Sequence, residues 1–376
     1  MIFWRILVGA MVAVMVLCIV YLLSRFHHFR CIQRLGIRHR FLSWLVCLIP
    51  LGLLGLFAMI NVFTLIIVVL HLALFWALCD LFGWSWNRIR KWTIYPTRGQ
   101  KKKVRRTPYY AGIMALVFCA VYLGVGWYNA HHIRQTQYSF TTEKDLQDPV
   151  RIAAIADSHL GITLDGASFG TMLEEVQQQK PDLLVIAGDF VDDDSTKEDM
   201  LEACAALGRF EAPYGIFFVF GNHDNGYYRY RDFSSQELRD ALTSNGVQIL
   251  EDEAVLVDDR FYVIGRQDRT AAGRASATAL TEGLDPDKYQ LMLDHQPNDY
   301  AVEAESGADL VISGHTHGGH IFPAGLIGLW THANDRTYGT EQRGNTTFLV
   351  TSGVSGWAIP FKTGTFSEYV LIDVRP

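Results

Sequence analysis

The 376-residue sequence predicts a protein in two parts: an α-helical transmembrane region of about four spans, then an α/β domain with helices flanking a β core. Three observations predict this. Four long apolar stretches precede residue 129, each able to cross a bilayer. From Val150 onward, short apolar runs alternate with runs of helical periodicity. Charge divides at the same place: 17 Lys/Arg and 4 Asp/Glu up to Pro149, against 16 and 35 beyond it. The expected boundaries are 1–129 for the transmembrane region, 130–149 for a polar linker and 150–376 for the second domain.

The spans fall at 6–23, 41–60, 62–82 and 109–128. Pro50 is a tolerable kink in the second, Asn61 a tight connection to the third, and Tyr109, Trp127 and Tyr128 are interfacial anchors of the fourth. Ile6–Leu23 is read as a span rather than a cleaved signal because no small-residue cleavage site follows it. Arg25 to Arg40 supply five arginines between the first two spans, and Arg88 to Arg106 hold nine basic residues between the last two. Four spans put both loops on one side, which the positive-inside rule makes cytoplasmic. The expectation is a multi-pass cell-membrane protein whose second domain is extracytoplasmic. The Lys101–Arg106 run needs no role beyond setting topology. His71, mid-span, reads as a histidine packed on a neighbouring helix. Of six cysteines only Cys204 lies in the second domain, which excludes a disulfide within it.

In the second domain, Val150–Ala156, Leu183–Ala187, Gly215–Phe220, Tyr289–Leu293 and Ala308–Ile312 read as buried strands. Helical spacing covers Ser168–Lys180, with Phe169, Met172, Leu173 and Val176 on one face and Pro181 as a stop. Further helices fit Ser195–Arg209, Ser235–Asn245 and Asp299–Ser306. Shorter strands fit 248–250, 254–257, 261–264, 347–351 and 369–374. Strand–helix alternation implies parallel pairing. The strand ends then converge, and ligands of open α/β sheets bind at the carboxyl ends of strands.

Those ends carry Asp157, His159, Asp189, Asn222, His223, Asp224, His295, His315 and His317. Carboxylates and imidazoles in one cleft are ligands for Mn, Fe or Zn. The group exceeds the needs of one ion, which favours a pair; one aspartate can bridge two ions about 3.5–4 Å apart that clamp a phosphoryl displacement. The acidic balance argues against nucleic acid as a partner.

The series Asp157-Ser158-His159, Gly188-Asp189, Gly221-Asn222-His223-Asp224, His295 and Gly314-His315-Thr316-His317 resembles the calcineurin-like metallophosphoesterases. Gly318-Gly319 and Ser352-Gly353-Val354-Ser355-Gly356 bring it nearest the membrane-anchored bacterial branch. That branch commonly carries Gln where this chain has His320. The resemblance implies a four-layer β-sandwich flanked by helices and two divalent metal ions. It gives Asp157, His159 and His317 to the first ion, Asn222, His295 and His315 to the second, and Asp189 to both. It implies hydrolysis of a phosphate ester or pyrophosphate by metal-activated water, with His223 facing the substrate and Asp224 orienting His223. The opposing reading is a membrane sensor or transport-associated protein with a degenerate domain; the complete ligand set speaks against it. Ile321–Trp330 has two readings: a lip that contacts lipid, which would suit a lipid-linked substrate, or a strand and turn packed under the site. Arg266, Gln267 and Asp268 are expected near the pocket, with Arg266 either on a phosphate oxygen or in an ion pair.

Overall fold

The computed structural model describes residues 2–93, 109–226 and 231–376. The Lys101–Arg106 run lies outside the described residues. The chain divides into two compact units, Met1–Val125 and Gly126–Pro376.

The first unit holds helices α1 (Ile2–Phe26), α2 (Arg30–Arg38), α3 (Arg40–Gly55), α4 (Val62–Thr93) and most of α5 (Tyr110–His131). Four segments, in α1, in α3 with the 3-10 turn that extends it to Met59, in α4 and in α5, are long and apolar enough to cross a membrane. Asn61 Oδ1 accepts the Thr64 amide at 2.7 Å, capping α4 at the tight connection expected there. His71 Nδ1 bonds the Ile67 carbonyl at 2.8 Å and its ring stacks on Tyr122, so it is a packed helix residue. Charge sits elsewhere in the unit. Asp80 accepts from Tyr21 and Tyr109 at 3.0 and 2.9 Å and pairs with Arg25 at 3.0 Å, fastening α1, α4 and the start of α5 together. In hydrocarbon such a group is retained only with partners.

The second unit contains β1 (Arg134–Thr141), β2 (Val150–Ile155), α6 (Gly166–Gln178), β3 (Leu183–Ala187), α7 (Lys197–Leu207), β4 (Ile216–Val219), α8 (Ser235–Ser244), β5 (Val247–Ile249), β6 (Glu253–Val257) and β7 (Phe261–Gly265). It continues with α9 (Ala277–Thr281), β8 (Tyr289–Leu293), α10 (Tyr300–Glu305), β9 (Leu310–Ser313), α11 (Ala324–Trp330), β10 (Gly339–Arg343), β11 (Thr346–Val350) and β12 (Glu368–Arg375). Two six-stranded sheets form, in the orders β1-β12-β2-β3-β4-β5 and β10-β11-β9-β8-β7-β6. Strands β2 to β5 are parallel, as are β7, β8, β9 and β11.

The uniformly apolar strands follow from this layering. In β2, Ala153 and Ile155 join the core under α6, α7 and α8, while Val150, Ile152 and Ala154 face the opposing sheet. In β3, Leu184 and Ile186 face the helices and Leu183, Val185 and Ala187 the other sheet. A strand buried on both faces has no polar alternation. A third core lies under α9 and α10. The result is helix, sheet, sheet, helix: the four-layer sandwich expected.

The stretch 130–149 is not wholly irregular: it holds the end of α5 and the strand β1, and 142–149 lies outside any helix or strand. Only His132 and Ile133 separate α5 from β1, which pairs in parallel with β12 along its whole length. The strand escaped notice because it is an edge: most of its polar side chains are exposed, and only Tyr138 and Phe140 bring apolar surface to the core. Helix starts carry their caps. Asp165 accepts the Ser168 amide, Thr196 that of Asp199, and Ser234 with Glu237 closes a capping box.

Burial and capping rank the contributions to α6. Phe169→Ala should cost roughly 3–5 kcal/mol through cavity formation. Asp165→Ala should cost about 1 kcal/mol through the lost cap. Denaturant unfolding of the full chain in detergent checks the order; equal losses would contradict it.

Candidate metal centre

The parallel strands deliver their C-terminal ends to one place, and the backbone turns sharply as each strand ends. Asp157, His159, Asp189, His315 and His317 all have positive φ, at 54°, 36°, 52°, 68° and 48°. Such conformations cost of order 1–3 kcal/mol each and persist only where surroundings enforce them. The loops also approach closely. A Cβ on Gly314 would stand 2.6 Å from Asp157 Oδ2, and one on Gly188 would stand 2.7 Å from His295 Nδ1. Glycine is needed at both positions.

Among the described residues three groups of potential ligand atoms result, one of them His159, Asp192 and His223. Asp157, His159 and His317 offer atoms all within 4.8 Å of one another, and so do Asp189, His295 and His315. Asp189 stands between them: its Oδ2 is 3.6 Å from His159 Nε2 and 3.0 Å from His295 Nε2. Asn222 is buried at the end of β4, its Oδ1 3.5 Å from Gln296 Nε2.

The imidazoles are held from behind. His159 Nδ1 bonds Asp192 at 2.9 Å, His295 Nδ1 the Ala187 carbonyl at 2.8 Å, and His317 Nδ1 the Ser355 carbonyl at 3.2 Å. Each ring thus turns Nε2 inward, and His159 Nε2 is buried without a hydrogen-bond partner. Metal-ligating histidines are oriented in this way, one nitrogen donating outward and the other left for the ion. The residues fit two divalent cations.

Electrostatics agree with the fit. Burial pushes His315 down to about 4, aided by the His295 charge, and holds His317 well below its usual value; both are neutral, as ligation requires. Burial alone would lower His295, but the adjacent Asp189 carboxylate outweighs it and raises its pKa. Burial would raise Asp189, yet His295 holds it well below the carboxylate range.

One expectation needs correction. Asp224 does not orient His223. Its carboxylate oxygens accept the amides of Asp189, Phe190, Val191 and Gly221 at 2.7–3.1 Å, pinning the two metal-bearing turns together. Its proximity in sequence suggested a pairing that the turn geometry redirects to the backbone. Asp192 takes the role instead: Oδ1 accepts from His223 Nδ1 at 2.9 Å while Oδ2 accepts from His159. Its signal was present in Gly188-Asp189-Phe190-Val191-Asp192, two aspartates on one turn. Of the two readings of Arg266, the structure bears out the ion pair. It is buried, bonded to Asp294, Asp299 and Glu303 at 2.8, 2.9 and 3.0 Å, behind His295.

Lys362 escaped the sequence reading altogether. It is fully buried and donates to the carbonyls of Ser352 and Gly353 at 2.6 and 3.0 Å. That loop returns amides from Val354 to the Ala156 carbonyl and from Ser355 to the Asp157 carbonyl. Lys362 therefore braces the strand end that carries Asp157. His320 lies in none of the ligand groups; its ring stands 5.2 Å from that of His317.

Residues 150–319 match the family model described as calcineurin-like phosphoesterase. An uncharacterized metallophosphoesterase of Aquifex aeolicus is 33% identical over 217 residues, covering 56% of this chain and 79% of that protein. One of Campylobacter jejuni is 29% identical over 238 residues, covering 61% of this chain and 60% of that protein. A bovine transmembrane protein with a metallophosphoesterase domain is 31% identical over 238 residues, covering 58% and 51%. The chain belongs to the calcineurin-like phosphoesterase family, whose members are metal-dependent phosphoester hydrolases. The matches span little more than half the length of the Campylobacter and bovine relatives.

Because His295 keeps its proton while paired with Asp189 and must lose it to bind a cation, metal binding should release protons, and affinity should rise with pH. Calorimetry of Mn²⁺ binding in buffers of different ionisation enthalpy reads the release; a pH-independent affinity would contradict it.

Proposed function

We propose that the protein is a membrane-anchored phosphoesterase with a dinuclear metal centre, hydrolysing a phosphate ester or pyrophosphate that is lipid-linked and presented on the extracytoplasmic side. The observation that carries the reading is the sharing of Asp189 between two histidine–carboxylate groups whose imidazoles are tied back through Nδ1.

Asp157, His159 and His317 would hold one ion, Asn222, His295 and His315 the other, and Asp189 both. Bound there, the ions supply Lewis acidity toward water and the phosphoryl oxygens. His223 is the residue of this chain suited to proton transfer. Burial would lower its pKa, but the Asp192 carboxylate at Nδ1, with Asp189 nearby, raises it above the ordinary histidine value. It then carries a proton to give to a leaving oxygen, with the ring fixed through Asp192. Its ring lies 5.0 Å from that of His159, at the edge of the ligand groups.

His223→Ala should retain both metals and lose roughly 10²–10⁴-fold in turnover of a generic phosphodiester, the range of a general acid. Metal content is read beside kinetics, and unchanged turnover would remove His223 from the mechanism. For the topology, a C-terminal reporter active only in the cytoplasm should stay silent; its activity would reverse the orientation.

A further inference from the structure

The segment after the second metal motif departs from both halves of the catalytic unit's design. From Ile321 to Asn334 there is no Asp, Glu, Lys or Arg. It forms α11, a helix with no buried residue. Phe322, Leu326, Ile327 and Trp330 stand 57%, 45%, 51% and 78% exposed. Within α11, spacings of three and four place Leu326, Ile327 and Trp330 along one side, with Phe322 just before the helix. The packed-under reading is thereby excluded, because this apolar side faces out.

The root of this lip is fixed. Gly325 and Gly319 meet backbone to backbone, with a Cβ on Gly319 standing 3.1 Å from Gly325 Cα, two residues beyond His317. The Phe322 amide donates to Thr363 Oγ1 at 3.1 Å, and the Thr363 amide donates to the His320 carbonyl at 2.9 Å. On its other side the same short segment holds the end of α5. The Lys362 amide donates to the Gly126 carbonyl at 2.8 Å, Asn129 Nδ2 to the Lys362 carbonyl at 3.4 Å, and Thr363 Cγ2 packs against Gly126. Those turns of α5 end a candidate membrane span and carry Trp127 and Tyr128, half-exposed aromatics of the kind that sit at headgroup level. One residue, Thr363, therefore joins the lip to the place where the chain leaves the membrane.

We propose that the lip is a membrane-interface element: Phe322, Leu326, Ile327 and Trp330 insert into the headgroup–acyl boundary of the leaflet from which α5 emerges. The occupant is the leaflet itself, chosen by the bonded continuity with the end of α5 and by an exposed apolar face that offers water no charge. The consequence for the site is direct. From the lip, His320 leads to Gly356, where a Cβ would stand 3.0 Å from His320 Nε2, and neighbouring Trp357 brings its ring 5.6 Å from that of His223. A phosphoester whose tail stays in the bilayer would meet the ligand groups without leaving the membrane surface. This inference rests on the reading of the chain as a bilayer-anchored phosphoesterase.

The test uses the full chain in nanodiscs of phosphatidylcholine, with and without bromine on the acyl chains near the headgroup. The emission lost on Trp330→Phe isolates Trp330, and that lost on Trp127→Phe gives a reference at the end of α5. Bromolipid should quench the Trp330 signal at least as strongly as that of Trp127, and Ile327→Asp should weaken that quenching. A Trp330 signal untouched by bromolipid but quenched by aqueous acrylamide would overturn the proposal. So would quenching that Ile327→Asp leaves unaltered. Neither reading involves turnover, so an inactive protein with a quenched lip would refute the phosphoesterase reading while sparing this one.

Discussion

The catalytic unit depends on keeping one buried carboxylate, Asp189, ionised where water does not reach. Burial opposes the charge, and two imidazole nitrogens, from His159 and His295, face the same oxygen. A carboxylate so placed needs compensating positive charge. In the metal-free protein the His295 proton supplies it; two bound cations would supply more. The rest follows from holding that carboxylate still. Its other oxygen accepts the His223 amide at 2.8 Å, and Asp224 gathers the amides on either side of the turn. The left-handed ligands then spend backbone strain that the double-faced sheet packing can sustain.

How much of this was legible in the sequence depended on whether a residue's partner was local. Leu183–Ala187 reads as a strand because both its faces are buried, and Gly188-Asp189 reads as a strand-end ligand because the turn follows at once. Phe169, Met172, Leu173 and Val176 announce their helix because one face meets one core. By contrast β1 is an edge whose polar side chains conceal it, and its partner β12 lies at the far end of the chain. The role of Asp192 was hidden for the same reason: two aspartates on one turn are plain in the sequence, but the bond to His223 joins residues 31 apart. Asp224 was misassigned because adjacency to His223 seemed sufficient, whereas its oxygens point back to amides of another loop. Lys362 had no local pattern; only the folded Ser352–Gly353 turn explains a lysine with no water around it.

The first unit shows the same limit. Its spans are plain from length and apolarity, and His71, the charge-capable residue that drew notice, is an ordinary packed group. The polar anchor is Asp80, in the middle of α4, whose partners Tyr21 and Arg25 come from α1 and Tyr109 from just before α5. Periodicity reveals which segments are helices; it does not reveal which of them a carboxylate ties together.

The central claim is that Asp189 is shared by two cations. Metal analysis of the purified full chain, native and Asp189→Ala, tests it most directly. The account predicts two divalent ions per chain in the native protein and loss of both on substitution. One ion per chain in the native protein, or full occupancy without Asp189, would contradict it.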